Sequence, residues 1–277
     1  MAPKITIVIP SYNMGGFIED TIKSIIEQGY PDYECIVMDG GSTDNTVDIL
    51  KKYRQQIIWK SEKDKGQSDA INKGLRQATG EIVTYINADD MYEAGCFQKI
   101  ADFVRKNPDT RWLYGKSRIV NDKNIEIRRS ITRYKDIWQR SYSYNKLLVM
   151  DFLSQPAVFW RREMHEEFGY FDVNDHLSME YDFWLRLGAK YRPGYINDFL
   201  ARFRIHPTSK TAVGYTAAAR SARELAKKHA RMQKKGFLVP LQYLNYYLVS
   251  ATYSLLDIPL FKSRRPSDNN ASPGDAA

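Results

Sequence analysis

Residues Glu81-Ile-Val-Thr-Tyr-Ile-Asn-Ala-Asp-Asp90 decide how this chain is read. An apolar run of strand length ends in two adjacent carboxylates, Asp89 and Asp90. The C-terminal edge of a parallel sheet is where α/β proteins bind ligands, and a strand end is a rigid mount. Neighbouring carboxylates repel unless a proton or a cation relieves them. A hard divalent cation shared with phosphate oxygens is the simplest relief at neutral pH. The stretch therefore points to a metal–diphosphate site. The plainer alternative is an Asp-Asp turn that caps the next helix.

The flanking sequence repeats the same arrangement. Ile5–Pro10, Tyr33–Asp39 and Ile57–Lys60 read as strands. Helices follow them: one carries Ile18, Ile22, Ile25 and Ile26 on one face, one runs through Val47, Ile49 and Leu50, and one spans Gln67 to Ala78. Strands alternating with helices at this spacing predict a parallel, doubly wound α/β sheet. Beyond Asp90, a helix is expected over Cys96–Arg105, and a strand pair over Leu113–Val120 and Ile125–Ile131. Loops and short helices are expected over 132–153, a strand over Pro156–Trp160, a short helix over Met179–Leu187 and a strand over Phe199–His206.

Composition narrows the function. Two cysteines, Cys35 and Cys96, make neither a disulfide framework nor a zinc spacing, and Cys35 sits in an apolar strand as a core residue. His165, His176 and His229 show no ligand spacing. Met-Ala-Pro-Lys leads straight into a strand, so no leader segment is expected. The net charge of +8 is confined to one region: residues 201–265 hold 13 Lys and Arg against Glu224 and Asp257. The first 200 residues are close to neutral, which argues against a nucleic-acid binder and for an anionic surface near the C-terminus. There, a basic helix over 215–235 leads into the apolar stretch Gly236–Phe261, which Gln242, Asn245, Asp257 and Pro259 interrupt. A membrane-spanning helix needs about 20 predominantly apolar residues. An in-plane or packed helix is expected instead, and the segment either docks on a membrane surface, packs on the catalytic domain or forms a dimer interface. The polar tail, residues 263–277, is expected to be disordered.

The loops after the first four strands carry Ser11-Tyr12-Asn13, Asp39-Gly40-Gly41-Ser42-Thr43-Asp44, Asp64-Lys65-Gly66 and Asn87-Ala88-Asp89-Asp90. In a parallel sheet these share one edge. No Gly-x-Gly-x-x-Gly loop follows the first strand, as a Rossmann NAD site would require. Asp39 is instead suited to accept the N–H of a base, and Asp89 and Asp90 to hold ribose and metal.

Ile5-Thr-Ile-Val-Ile-Pro-Ser-Tyr-Asn13, Ile36-Val-Met-Asp-Gly-Gly-Ser-Thr-Asp-Asn-Thr46, Asp64-Lys-Gly66, Asn72-Lys-Gly74, Ala78-Thr-Gly80 and Asn87-Ala-Asp-Asp90 occur in this order. Over about residues 3–206 the chain resembles the family 2 glycosyltransferases, above all the bacterial branch that builds O-antigen and exopolysaccharide chains. The resemblance implies a GT-A fold, with a mostly parallel sheet flanked by helices. It implies a nucleotide-sugar donor, UDP type foremost, a divalent cation (Mn²⁺ or Mg²⁺), and transfer with inversion. It divides the chain into a catalytic domain over 1–212, with a nucleotide half (1–90) and an acceptor half (91–212), and a helical appendage over 213–262.

Site residues follow from the same resemblance. Pro10, Tyr12 and Asn13 in the first loop, with Asp39, hold the base, and Asp44 lies beside the nucleoside. Asn87 stands at the first position of the family's Asp-x-Asp element, so Asp89 and Asp90 supply its charge to ribose and metal. Lys65, Gly66 and Asn72 are expected beside the diphosphate or ribose; alternatively, Lys65-Gly66 is a turn and Asn72 a helix-surface residue. His206 matches a position near the diphosphate or metal. In Ser178-Met-Glu-Tyr-Asp-Phe-Trp184, alignment on Trp184 makes Glu180 the catalytic base, with Asp182 as the alternative; Phe183 and Trp184 are read as core. The expected enzyme works in the cytoplasm on the inner face of the membrane, on a lipid-linked saccharide acceptor, with a homo-oligomer possible. A sugar nucleotidyltransferase would need basic residues in Ser11–Gly16, which has none. A catalytically silent nucleotide-sugar sensor would not need the carboxylates.

Overall fold

Ile5–Ser11 (β1) is buried along its whole length. Its alternate side chains enter two different layers: Ile5, Ile7 and Ile9 pack into one core, Val8 into the other. A strand covered on both faces must be apolar nearly throughout, and this one is. The computed structural model describes residues 2–207 and 209–256. The chain continues with α1 (Ile18–Ile26), β2 (Tyr33–Asp39), α2 (Thr46–Lys52), β3 (Ile58–Ser61), α3 (Gln67–Gln77) and β4 (Ile82–Tyr85). Then follow β5 (Met91–Tyr92), α4 (Cys96–Lys106), β6 (Trp112–Val120), α5 (Arg129–Gln139), α6 (Tyr144–Val149), β7 (Val158–Arg161), α7 (Met164–Phe168), α8 (Met179–Lys190) and β8 (Gly194–Arg204). Two long helices, α9 (Lys210–Met232) and α10 (Val239–Leu256), end the described chain.

Among the described residues one eight-stranded sheet runs in the order β3-β2-β1-β4-β7-β6-β8-β5. Strands β1 to β4 are mutually parallel, β7 enters antiparallel between β4 and β6, and β8 returns parallel to β6. The mostly parallel GT-A sheet expected from the sequence is present. On one face, Ile22 and Ile25 of α1, Leu50 of α2 and Phe97 and Ile100 of α4 close over β1 and β2. On the other, Ile71 and Leu75 of α3 join Trp160, Phe183 and Trp184. Phe183 and Trp184 are thus core residues, as expected.

One expected strand is absent. The turn at Asn121–Asn124 exists, with Asn124 at φ 61°. The return chain, however, makes only an isolated bridge, Val120 to Glu126. At Arg128 (φ 52°) the backbone turns into α5. Ile127 and Ile131 are spaced for a helix as well as a strand, and with Ile125 58% exposed no buried face enforces the strand.

The C-terminal helices pack on the catalytic body. Ala226, Ala230 and Leu238 are buried in the same core as Trp184. Gln242 Nε2 donates to Leu148 O at 2.9 Å, and Asn245 Nδ2 to Val149 O at 3.3 Å. Among the described residues no helix is long and apolar enough to cross a membrane. The tail expected to be disordered, residues 263–277, lies outside the described residues, as do Asp257 and Pro259.

Gly74 lets α3 sit against the sheet: a Cβ there would lie 2.4 Å from Val8 Cγ1. Gly74→Ala is expected to destabilise the fold by about 1–3 kcal/mol, the usual cost of overpacking a core. Denaturant midpoints of the two proteins measure it, and an unchanged midpoint would mean that α3 shifts freely.

Candidate active site

The loops after β1 and β2 lock each other. Asn13, at φ 52°, donates its N–H to Ser42 Oγ at 2.8 Å and accepts the Thr43 N–H at 2.8 Å. Asp44 accepts the Gly15 N–H at 2.9 Å and both the N–H and the hydroxyl of Thr46. Burial works against the Asp44 charge, but the hydrogen bonds from Thr46 and Gly15 outweigh it and hold the carboxyl below its ordinary range. Asp39 is buried at the end of β2. It accepts from the N–H groups of Gly41 and Ser42 and from the hydroxyls of Ser42 and Ser61. Its carboxylate therefore shapes the loop that follows it. Asp64 accepts the Gly66 N–H at 2.7 Å, and Gly66 opens α3 at φ 109°, a conformation that requires glycine.

These loops surround a cavity of about 840 Å³, within the size range of ligand sites. Of the residues expected to bind the donor, Pro10, Tyr12, Gly66, Asn87 and Asp89 line it. Asn13, Asp39 and Asp44 frame it from behind. Lys65 is exposed, and its backbone N–H bonds Asp69. Asn72 does not reach the cavity. It is 1% exposed, and its amide exchanges two hydrogen bonds with the backbone of Phe171, at 2.8 and 3.1 Å. Asn72 is neither the ligand neighbour nor the surface residue of the sequence reading; it fastens α3 to the backbone at Phe171, between α7 and α8.

The two adjacent aspartates diverge. Asp89 lines the cavity and meets His206 Nε2 at 2.9 Å, while Phe17 stacks on the His206 ring. Asp90 is fully buried behind it. It accepts the Arg204 N–H at 2.8 Å and the Asn87 amide at 3.2 Å. Burial first, and the Asp89 charge second, push the Asp90 carboxyl well above its ordinary value. Asp90 thus faces the protein rather than the cavity, which corrects its reading as a metal ligand.

The candidate bases also separate. Glu180 lines a second cavity of about 360 Å³. This cavity shares Gln67, Asn87, His176 and Phe203 with the first, so the two are neighbours. Asp182 turns the other way, to Arg186 Nε at 2.7 Å and His229 Nε2 at 2.9 Å. Burial opposes its charge, but His229 and Arg186 outweigh that and lower its pKa. Asp182 holds α8 to α9 and does not face the acid–base position expected of it.

Glycosyl transferase family 2 matches residues 6–169. The chain belongs to this family. A PGL/p-HBAD biosynthesis glycosyltransferase of Mycobacterium bovis is 29% identical over 190 residues, 67% of this chain and 70% of the relative. S. aureus TarS 1-349, solved with UDP-GlcNAc, superposes with a TM-score of 0.66 over 93% of this chain and 76% of that one, at 18% identity. In a longer TarS chain the match spans 39% of the length. The mannosyltransferase PcManGT of Pyrobaculum calidifontis, solved with GDP-Man and Mn²⁺, gives a TM-score of 0.63 at 18% identity, over 95% and 83%. This chain shares its fold with both solved proteins.

The family implies a divalent cation, and the residues present fit one. Asp89 offers a hard oxygen ligand at the cavity wall, beside His206. Among the described residues no group of three or more His, Cys, Asp or Glu side chains is arranged to hold a metal. A cation here would take most of its remaining ligands from phosphate and water, as Mg²⁺ sites commonly do. Gln67, His176 and Arg204 line the cavity and were missed in the sequence. Arg204 is 1% exposed, with Asp20 and Asn124 on its guanidinium and Nε without a partner among the described residues. The run Phe203-Arg204-Ile205-His206 carried the only signal for it.

Asp90→Ala is expected to lower stability by about 1–3 kcal/mol, because it leaves the Arg204 N–H buried and unpaired. Asp89→Ala is expected to cost well under half of that. Urea denaturation compares them, and equal losses would contradict the division of roles.

Proposed function

We propose that the protein is an inverting glycosyltransferase that moves a sugar from a nucleoside-diphosphate sugar, UDP type foremost, to a hydroxyl of a lipid-linked saccharide. The observation that carries this reading is the shared wall between the Asp89 cavity and the Glu180 cavity. A donor in the first directs its sugar toward the carboxylate in the second. Glu180 takes the acceptor hydroxyl proton as that oxygen bonds to C1, from the face opposite the diphosphate. The C1–oxygen bond to the diphosphate breaks, and the diphosphate leaves with the electron pair. Asp89, with His206 beside it, would hold the divalent cation (Mn²⁺ or Mg²⁺), which supplies charge neutralisation of the leaving group. The UDP-GlcNAc bound to TarS and the GDP-Man and Mn²⁺ bound to PcManGT support a nucleotide-sugar donor and a cation. The resemblance to O-antigen and exopolysaccharide enzymes supports a role in surface polysaccharide synthesis.

Glu180→Gln is expected to keep UDP–Mn²⁺ binding and to lose at least about 10²-fold in transfer, the usual scale for a general base. Asp89→Ala is expected to lose the Mn²⁺-dependent part of UDP affinity in calorimetry. Asp182→Asn is expected to lower the melting temperature more than the rate. A folded Glu180→Gln protein with wild-type turnover would refute the assignment.

The C-terminal helices support a working position on the inner face of the cytoplasmic membrane. Phe237, Leu241, Leu244, Tyr247 and Leu248 are 49–71% exposed, beside a basic helix. A basic face next to a shallow apolar one suits a bilayer interface, and each base near an anionic leaflet contributes about 1 kcal/mol. The full chain is expected to sediment with vesicles of anionic lipid, and Phe237→Ser/Leu244→Ser to sediment several-fold less. Equal sedimentation of both proteins would remove these helices from the membrane contact.

A further inference from the structure

A third cavity, of about 500 Å³, lies between α5, α6, α9 and α10. Its wall is mostly apolar: Ile131, Val149, Met150, Ala226 and the rings of Tyr134 and Tyr246. It is not isolated. Ile131, Lys135, Asp151, Tyr181, Ala219 and Ala222 line both it and the Glu180 cavity. Its outer rim reaches Tyr134 and Leu248, 47% and 60% exposed, on the side where Leu244 and Tyr247 are exposed as well. The three cavities therefore adjoin in sequence: donor cavity, Glu180 cavity, apolar cavity, then an apolar outer surface.

The polar groups in this wall are few. Lys135 and Asp151 sit in the part shared with the Glu180 cavity. Gln242 is 2% exposed, and its Oε1 has no hydrogen-bond partner among the described residues; the same holds for Arg223 Nε. The Arg223 guanidinium lies over the rings of Tyr243 and Tyr246, at 4.4 and 4.7 Å. A mostly apolar cavity with a few convergent polar groups is the usual form of a small-molecule site.

We propose that this cavity receives the apolar chain of the lipid-linked acceptor, with the linkage group at Lys135 and Asp151 and the sugar hydroxyl at Glu180. The inference rests on the glycosyltransfer reading and adds to it the place of the acceptor's apolar chain, which enters beneath α9 and α10. The continuity of the cavities selects this occupant. A chain in the apolar cavity is attached, through the shared wall, to whatever lies against Glu180, and its other end leaves where the exposed apolar side chains are. A peptide or a second copy of this chain would cover the outer surface without needing that internal connection.

The test uses the full chain and two probes, n-octyl β-D-glucopyranoside below its critical micelle concentration and the non-micellar methyl β-D-glucopyranoside. Binding of each, and of UDP with Mn²⁺, is measured by calorimetry on the wild type and on Val149→Phe and Ala222→Phe, which fill the cavity from two separate helices. The octyl glycoside is expected to bind the wild type at least tenfold more tightly than the methyl glycoside. Both substitutions are expected to remove most of that difference while UDP binding stays unchanged. Equal binding of the two glycosides by the wild type, or an octyl preference undiminished in either folded variant, overturns the inference. With UDP–Mn²⁺ binding intact, such a result leaves the glycosyltransfer reading standing. Absence of UDP–Mn²⁺ binding in the wild type would count against that reading instead.

Discussion

The Arg204 N–H to Asp90 carboxylate hydrogen bond, 2.8 Å long and fully buried, joins the two halves of the molecule. It fixes the end of β8 to the loop after β4. His206, two residues further on, is thereby brought against Asp89, and the Arg204 side chain reaches back to Asp20 in α1. The chain separation is more than a hundred residues, so closing this contact is entropically costly and depends on the sheet being complete. Once made, it places Arg204 in the wall of the Asp89 cavity. The rest of the site is arranged around a junction of backbone and buried carboxylate.

The first part of the chain, through β4, was largely legible in the sequence. Strands β1, β2 and β4 are largely buried and read as apolar runs, while the edge strand β3 is mostly exposed, and α1 carries isoleucines at helical spacing. Local pattern and tertiary environment agree there. The chain after β5 was less legible because its elements are held by distant partners. Nothing near Ile125 indicated that its side chain would be exposed and the strand cut short. The antiparallel entry of β7 between β4 and β6 is likewise a property of topology, not of spacing.

At the site the limits were of the same kind. Asp89 and Asp90 were identified as a pair, but they lie in a turn closed by the Asp90 N–H on Asn87 O at 3.1 Å, and only the fold decides which one meets the cavity. Glu180 and Asp182, two apart on a helix, do not face the same way. One lines a cavity; the other is claimed by Arg186 and by His229 from a helix almost fifty residues away. Asn72 looked like a polar ligand residue because its partner is backbone, and backbone partners leave no trace in composition. Gln67, the first residue of α3, and His176, in the loop before α8, lacked a signal because only the fold brings them to the cavity.

The lock between the first two loops ties recognition to folding. Asn13, Ser42, Thr43, Asp44 and Thr46 hold one another before any ligand arrives. Little conformational freedom remains to be lost on binding, so the entropy cost of shaping this rim falls on folding and not on association. The same hydrogen bonds therefore serve thermal tolerance and the shape of the cavity rim. A lineage that reshaped this rim would have to loosen them and would drift toward lower melting temperatures on the way, unless stabilising changes arose elsewhere first. Evolvability of the rim is in this sense limited by the reserve of stability around β1 and β2.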